Sequence, residues 1–199
     1  MSKDLFTELK ERRTIYGLSK ESVVSDERIE KVVKEAVKYV PSAFNSQSAR
    51  AVVLLGKNHD RLWEITEETL SKIVPADGFA STKEKMDSFR NAYGTVLFFE
   101  DNSVIEKLQS DFALYKDNFP VWSLESSGMV QLVVWMALES EGFGASLQHY
   151  NPLIDDEVKK VWNIPESWKL LAQMPFGKPT AGAGEKQFLF SDEHVKVVK

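Results

Sequence analysis

The chain has 199 residues, long enough to bury a sizeable core, and its 43% hydrophobic and 28% charged residues argue against wholesale disorder. Its 25 Lys+Arg against 30 Asp+Glu give a net charge of −5, so no basic surplus invites a nucleic-acid backbone or an anionic membrane. Cysteine is absent, which removes disulfides, thiolate nucleophiles, iron–sulfur clusters and cysteine zinc sites, and His59, His149 and His194 lie too far apart in sequence to suggest a metal site. The first predicted helix covers about Asp4 to Arg13, with Leu5, Phe6 and Leu9 on one face. A second opens at Ser25 as N-cap, with Asp26 and Glu27 in its first turn. It repeats Ile29, Val32, Val33, Ala36, Val37 and Val40 at helical spacing and stops at Pro41. Ala51–Leu55, closed by Gly56, reads as a buried strand.

Helical spacing returns at Leu62, Ile65, Thr69, Leu70 and Ile73 and ends before Pro75. Ser81 with Glu84 has the pattern of a capping box ahead of another short helix. Thr95–Phe99 is a second buried strand. The segment Ser123–Glu141 reads as a helix apolar on nearly its whole circumference, which demands burial in a core or a subunit interface. Ala145–Tyr150 is strand-like, Asn151-Pro152 is expected to cap and start the next helix, and Trp168–Phe176 is the last strand. No linker or repeat divides the chain, so residues 1–199 read as one α+β or α/β domain. The N-terminus lacks the apolar centre of a secretory signal. The longest unbroken apolar run, Leu132 to Leu138, falls far short of the roughly 20 residues that span a bilayer. A cytoplasmic protein without a membrane partner is expected.

Several motifs fail on inspection. Gly177 to Gly182 has the glycine spacing of a P-loop, but Ala183 stands where Lys is required. Gly142-Phe-Gly144 starts a dinucleotide fingerprint, yet Leu147 replaces the third Gly and a helix rather than a strand precedes it. Three segments remain. Arg12-Arg13-Thr14 offers forked donors and a hydroxyl suited to phosphate, or a solvated basic helix end. The Pro41–Arg50 loop carries Asn45 and Gln47, whose amides can read a heteroaromatic edge or simply face water. The C-terminal Gly177-Lys-Pro segment, continuing to Gly184-Glu-Lys186, can reach an anion or stay in solvent.

Taken in order, Arg-Arg-Thr, Pro-Ser-x-x-Asn-x-Gln, Glu-Gly-x-Gly and Gly-x-Pro with a later Lys resemble the FMN-dependent nitroreductase family over nearly the whole chain. The sequence Pro41–Arg50, with Leu-Gln-His-Tyr-Asn after the Gly pair, is similar to a branch of small fungal and lactic-bacterial stress-induced nitroreductase-like proteins. The resemblance implies a nitroreductase-type fold, sandwich-like, with a central mixed sheet flanked by helices in an intertwined homodimer carrying flavin at its interface. It implies that Arg12, Arg13, Thr14 and Lys186 hold the flavin phosphate and part of the ring. Ser42, Asn45 and Gln47 would meet the ribityl chain and ring from the other subunit, and Leu147, Gln148 and His149 would pass beside the isoalloxazine. His149 also reads as a satisfied histidine on a buried strand. Tyr115, Phe119 and Trp122 would wall the substrate pocket, or serve ordinary packing. Two departures from the family pattern are Ser48-Ala49 in place of Pro-Trp, and Tyr16 in place of a basic residue.

The implied activity is two-electron reduction of nitroaromatics or quinones by NADH or NADPH with ping-pong kinetics, in oxidative or nitrosative stress defence, with no metal and no indispensable acid or base. A flavin-binding redox sensor or flavin store uses the same motifs, and a helical interaction module uses only the apolar helix.

Overall fold

The structure, a computed structural model, describes residues 4–199. Seven α-helices surround five strands: α1 (Leu5–Glu11), β1 (Leu18–Ser19), α2 (Asp26–Tyr39), β2 (Ala49–Leu55), α3 (Lys57–Leu70), α4 (Phe79–Arg90), β3 (Gly94–Asp101), α5 (Asn102–Asp111), α6 (Phe119–Ser140), β4 (Gly144–Ala145), α7 (Asp155–Trp162) and β5 (Trp168–Pro179). The sheet runs β1-β5-β3-β2, with β4 also paired to β5. All named strand pairs are antiparallel, and among the described residues the parallel component is one bridge between Thr14 and Ala145.

The architecture follows from β3. Every residue of this strand is buried, so it is a near-continuous apolar run rather than an alternation of apolar and polar. Its side chains still alternate by face. Val96 and Phe98 join α2, α6 and the Phe143–Ala145 segment in one core, while Leu97 and Phe99 join α3, α4 and α7 in the other. The chain is therefore a sheet between two helical layers. Strand β2 lies at the sheet edge and is half-buried along most of its length, whereas the apolar run alone predicts full burial. The difference arises because its second long side is unpaired.

Several boundaries are set by local chemistry. Asp4 caps α1 through the Phe6 and Thr7 amides, and Ser25 caps α2 through the Arg28 amide, as its sequence predicts. Helix α4 begins at Phe79, two residues before the expected capping box. Ser81 sits inside it, its hydroxyl donating to the Gly78 carbonyl at 3.1 Å, because the turn ending at Gly78 has already started the helix. Helix α7 begins at Asp155 rather than at Asn151-Pro152. The Asn151 side chain instead accepts from the Gln173 amide at 3.4 Å and cannot serve as a cap.

Helix α6 buries Phe119, Ser123, Ser126, Ser127, Val130, Val134 and Leu138 along one stripe. It is long and apolar enough to cross a membrane by length and composition, but this stripe packs into the protein core. Its opposite face leaves Val121, Leu124, Met129, Leu132 and Val133 exposed. The apolar circumference thus serves two surfaces, of which the single chain covers one.

Candidate cofactor and substrate site

The short helix α1 stops at Glu11, and the chain turns at Arg12 to run beside β4, where the Ile15 amide donates to the Ala145 carbonyl at 3.0 Å. The approach is close: a Cβ at Gly144 would stand 2.9 Å from that of Ile15. Arg12 stacks on Trp135, its guanidinium carbon 4.4 Å from the ring centroid. Its Nε is closed off from solvent and has no acceptor. Burial and the neighbouring Arg13 lower the affinity of this guanidinium for its proton, while Glu139 opposes them. Arg13 donates through Nη2 to the Gly184 carbonyl at 2.6 Å, so residues separated by most of the chain meet. Lys186 lies two positions beyond, exposed, with its ammonium 5.0 Å from the Phe188 ring centroid.

The stretch 146–149 runs beside β5. Gln148 and Gln173 exchange backbone hydrogen bonds at 2.7 and 2.9 Å, which sets the path of Leu147, Gln148 and His149. The Gln148 side chain is buried and donates to the Ser146 hydroxyl at 3.0 Å, so it points inward. His149 is exposed, in contrast to the buried strand histidine that its neighbours suggest, because the stretch meets β5 through Ser146 and Gln148 and His149 makes no ladder pair with it.

Ser42, Asn45 and Gln47 form a second set. Their loop contains a 3₁₀ turn, Ala43–Asn45, and three non-glycine residues at positive φ: Phe44 at 55°, Asn45 at 51° and Gln47 at 47°. The Ser42 hydroxyl accepts from the Gln47 amide at 2.9 Å, while the Asn45 and Gln47 side chains are exposed. The φ of Phe44 throws its ring into an aromatic cluster, 5.0 Å from Phe112, 5.6 Å from Tyr115, 5.2 Å from Phe119 and 5.9 Å from Trp122, on which it stacks. Tyr115, Phe119 and Trp122 therefore do come together. Phe119 is fully buried beneath the others, and Tyr115 and Phe44 supply exposed ring surface. Phe44 and Phe112 are not marked by sequence reasoning, although an aromatic residue inside an otherwise small and polar loop was the available signal.

The described contacts of the loop run to itself, to the β2–β3 end and to this aromatic cluster. Those of Arg12, Arg13 and Thr14 run to Trp135, β4 and Gly184. Beneath the loop lies Glu100, buried, with neither carboxylate oxygen hydrogen-bonded. Burial pushes its pKa up to about 6, against the opposing influence of the Ser48 hydroxyl and Arg50. An acid at the end of the apolar Val96–Phe99 run was its only sequence signal.

Comparison with known proteins agrees with this geometry. The chain is 38% identical over 186 residues to the putative nitroreductase HBN1 of Saccharomyces cerevisiae, covering 92% of each chain. It superposes on the nitroreductase CinD from Lactococcus lactis, solved in complex with chloramphenicol and with 4-nitrophenol, with a TM-score of 0.90, 47% identity, and 98% and 100% of the two chains covered. A nitroreductase from Desulfitobacterium hafniense with bound FMN shares the fold, with a TM-score of 0.71 at 16% identity over the full length of both chains. The Nitroreductase family model matches residues 9–178, and with the fold and the relatives in agreement, the chain belongs to the Nitroreductase family.

Proposed function

We propose that the chain, acting as one unit over residues 1–199, is an FMN-dependent oxidoreductase that uses NADH or NADPH to reduce nitroaromatics or quinones. The observation that carries this reading is that, in a Nitroreductase-family chain, Thr14 pairs with Ala145 while Arg13 reaches the Gly184 carbonyl, two positions before Lys186. These residues fit FMN. The Arg12 Nε is a buried donor without an acceptor, and a phosphate is the forked acceptor that guanidinium groups match. Arg13, and Lys186 two positions beyond the Gly184 carbonyl that Arg13 holds, add positive charge.

Bound FMN would supply reversible two-electron transfer. The protein's part is to position and to shield. Arg12, Arg13, Thr14 and Lys186 anchor the phosphate, and backbone groups of 147–149, held by β5, line the ring. Tyr115, Trp122 and Phe44 offer flat apolar surface to an aromatic acceptor. Donor and acceptor take turns in one pocket, which yields ping-pong kinetics. The relatives' complexes with chloramphenicol and 4-nitrophenol support a nitroaromatic class. A cytoplasmic location accompanies this reading. Replacing Arg12 and Lys186 together by Ala should weaken FMN binding on the order of tenfold or more, read by flavin fluorescence titration. Unchanged affinity would sink the phosphate assignment. Anaerobic bleaching of bound flavin by NADH or NADPH, reversed by a nitroaromatic, tests turnover, and a flavin that stays oxidised would favour the sensor or store.

The active form in this proposal is an intertwined homodimer. The loop at Ser42–Gln47 and the Arg12–Lys186 set engage different neighbours within one chain, which suits loops donated across an interface. Exposed apolar side chains on α6, on α1 (Leu5, Phe6) and on the C-terminal arm (Phe188, Leu189, Phe190) provide the surface that association would bury. Sedimentation at micromolar concentration should give a dimer, and a monomer would overturn this part.

A further inference from the structure

The loop from Ser42 to Ser48 keeps Phe44, Asn45 and Gln47 in the left-handed region, a conformation that L-residues adopt only when their surroundings enforce it. Inside the loop, one hydrogen bond helps, from the Gln47 amide to the Ser42 hydroxyl. The stronger hold comes from Arg50, on β2. Its Nη1 donates to the Gln47 carbonyl at 2.7 Å and to the Ala49 carbonyl at 3.0 Å, and its Nη2 donates to Asp101 Oδ2 at 3.0 Å. The guanidinium carbon lies 5.7 Å from the Trp168 ring centroid, and the Arg50 side chain is only 29% exposed.

Asp101 extends the connection in two directions. Its amide donates to the Ser48 carbonyl at 3.0 Å, pinning the loop's end a second time. Its Oδ1 accepts from the Ser103 amide and hydroxyl at 3.2 and 2.7 Å, capping α5. Helix α5 leads directly to Phe112 and Tyr115, two of the rings that receive Phe44. A closed circuit results: loop, Arg50, Asp101, α5, aromatic cluster, and back to the loop through Phe44.

We propose that Arg50 is a positioning residue that, through its forked contacts to Gln47, Ala49 and Asp101, sets the Ser42–Ser48 loop for the cofactor and couples it to the aromatic wall. The cofactor half rests on the flavin reading above. The planar fork is the essential property, since it satisfies two carbonyls on one side and a carboxylate on the other. A lysine at this position keeps the charge but cannot span the same three acceptors with fixed geometry.

The test compares wild type with Arg50→Met, Arg50→Lys and Asp101→Asn, using amide hydrogen exchange and FMN titration. Both Arg50 variants should accelerate exchange at the Ser46 and Gln47 amides at least tenfold, with the Thr95–Phe99 amides still protected as proof that the fold is intact. Their FMN affinity should fall at least tenfold. Asp101→Asn keeps an acceptor for the fork and should show a smaller loss of both. Loop exchange within twofold of wild type in Arg50→Met would overturn the proposal, as would accelerated exchange with undiminished FMN affinity. A wild-type chain that binds no FMN would sink the flavin reading and the cofactor half with it, while the exchange measurement would still decide whether Arg50 holds the loop.

Discussion

As pH falls from 6.5 toward 4, the protein is expected to lose about 3 kcal/mol of folding stability through one side chain, His59. This imidazole on α3 is 1% exposed. Its Nδ1 lies 2.9 Å from the Thr95 hydroxyl and its Nε2 lies 3.3 Å from the Arg90 carbonyl. The carbonyl can only accept, so the network assigns the neutral tautomer with the proton on Nε2, and Nδ1 accepts from Thr95. The Thr95 oxygen in turn accepts from the Trp63 indole at 3.1 Å, which completes a buried polar chain between α3 and β3. Burial dominates and pulls the pKa from 6.5 down to about 4, with the Arg90 carbonyl opposing. Because the folded value is the lower one, the stabilisation is fully present above pH 6.5 and is lost as pH falls through 4. Denaturant titrations at several pH values should show this loss in wild type and a shallower acid slope in His59→Gln. Equal slopes would contradict the assignment.

Glu100 works in the opposite direction. Its folded pKa of about 6 exceeds the ordinary 4.5, so its contribution is fully present below pH 4.5 and is lost as pH rises through 6. The loss above neutrality is about 2 kcal/mol, the cost of ionising a buried carboxyl that has no hydrogen-bond partner. Glu100→Gln, which keeps the shape and removes the charge, should therefore raise the melting temperature at pH 8 and change little at pH 4.5. A lower melting temperature at pH 8 would show instead that the carboxylate is held by a partner such as Arg50. The two windows overlap, and because the His59 shift is the larger, the pair together leaves the fold more stable at neutral pH and above than in acid.

Helix α2 was legible in full, because Ser25 as cap, valines at helical spacing and Pro41 as stop are each local instructions. The strand at Thr95–Phe99 was equally plain as an uninterrupted apolar run, although only its pairing shows that alternate residues serve two separate cores. Helix α4 began earlier than its capping pattern, since a turn formed by neighbouring residues can start a helix before a better cap is reached. The site divides in the same way. Arg12, Arg13, Thr14 and Lys186 were singled out from residue type, order and family resemblance, and the fold carries Arg13 to the Gly184 carbonyl, two positions before Lys186.

Phe44, Arg50 and Glu100 escaped notice because their roles depend on what stands opposite them. A positive φ at Phe44 is not encoded in that residue. It is enforced by rings more than sixty positions away and by an arginine tied to the far end of β3. The sequence by itself determined the class of fold, the chief helices and strands, and the chemical type of the groups proposed to hold phosphate, since these rest on periodicity, caps and functional groups carried by single residues. Only the tertiary structure decided which polar groups are buried without partners, which backbone is held in a disfavoured conformation and which apolar faces stay open, because burial and contact belong to pairs of residues that the chain's path brings together.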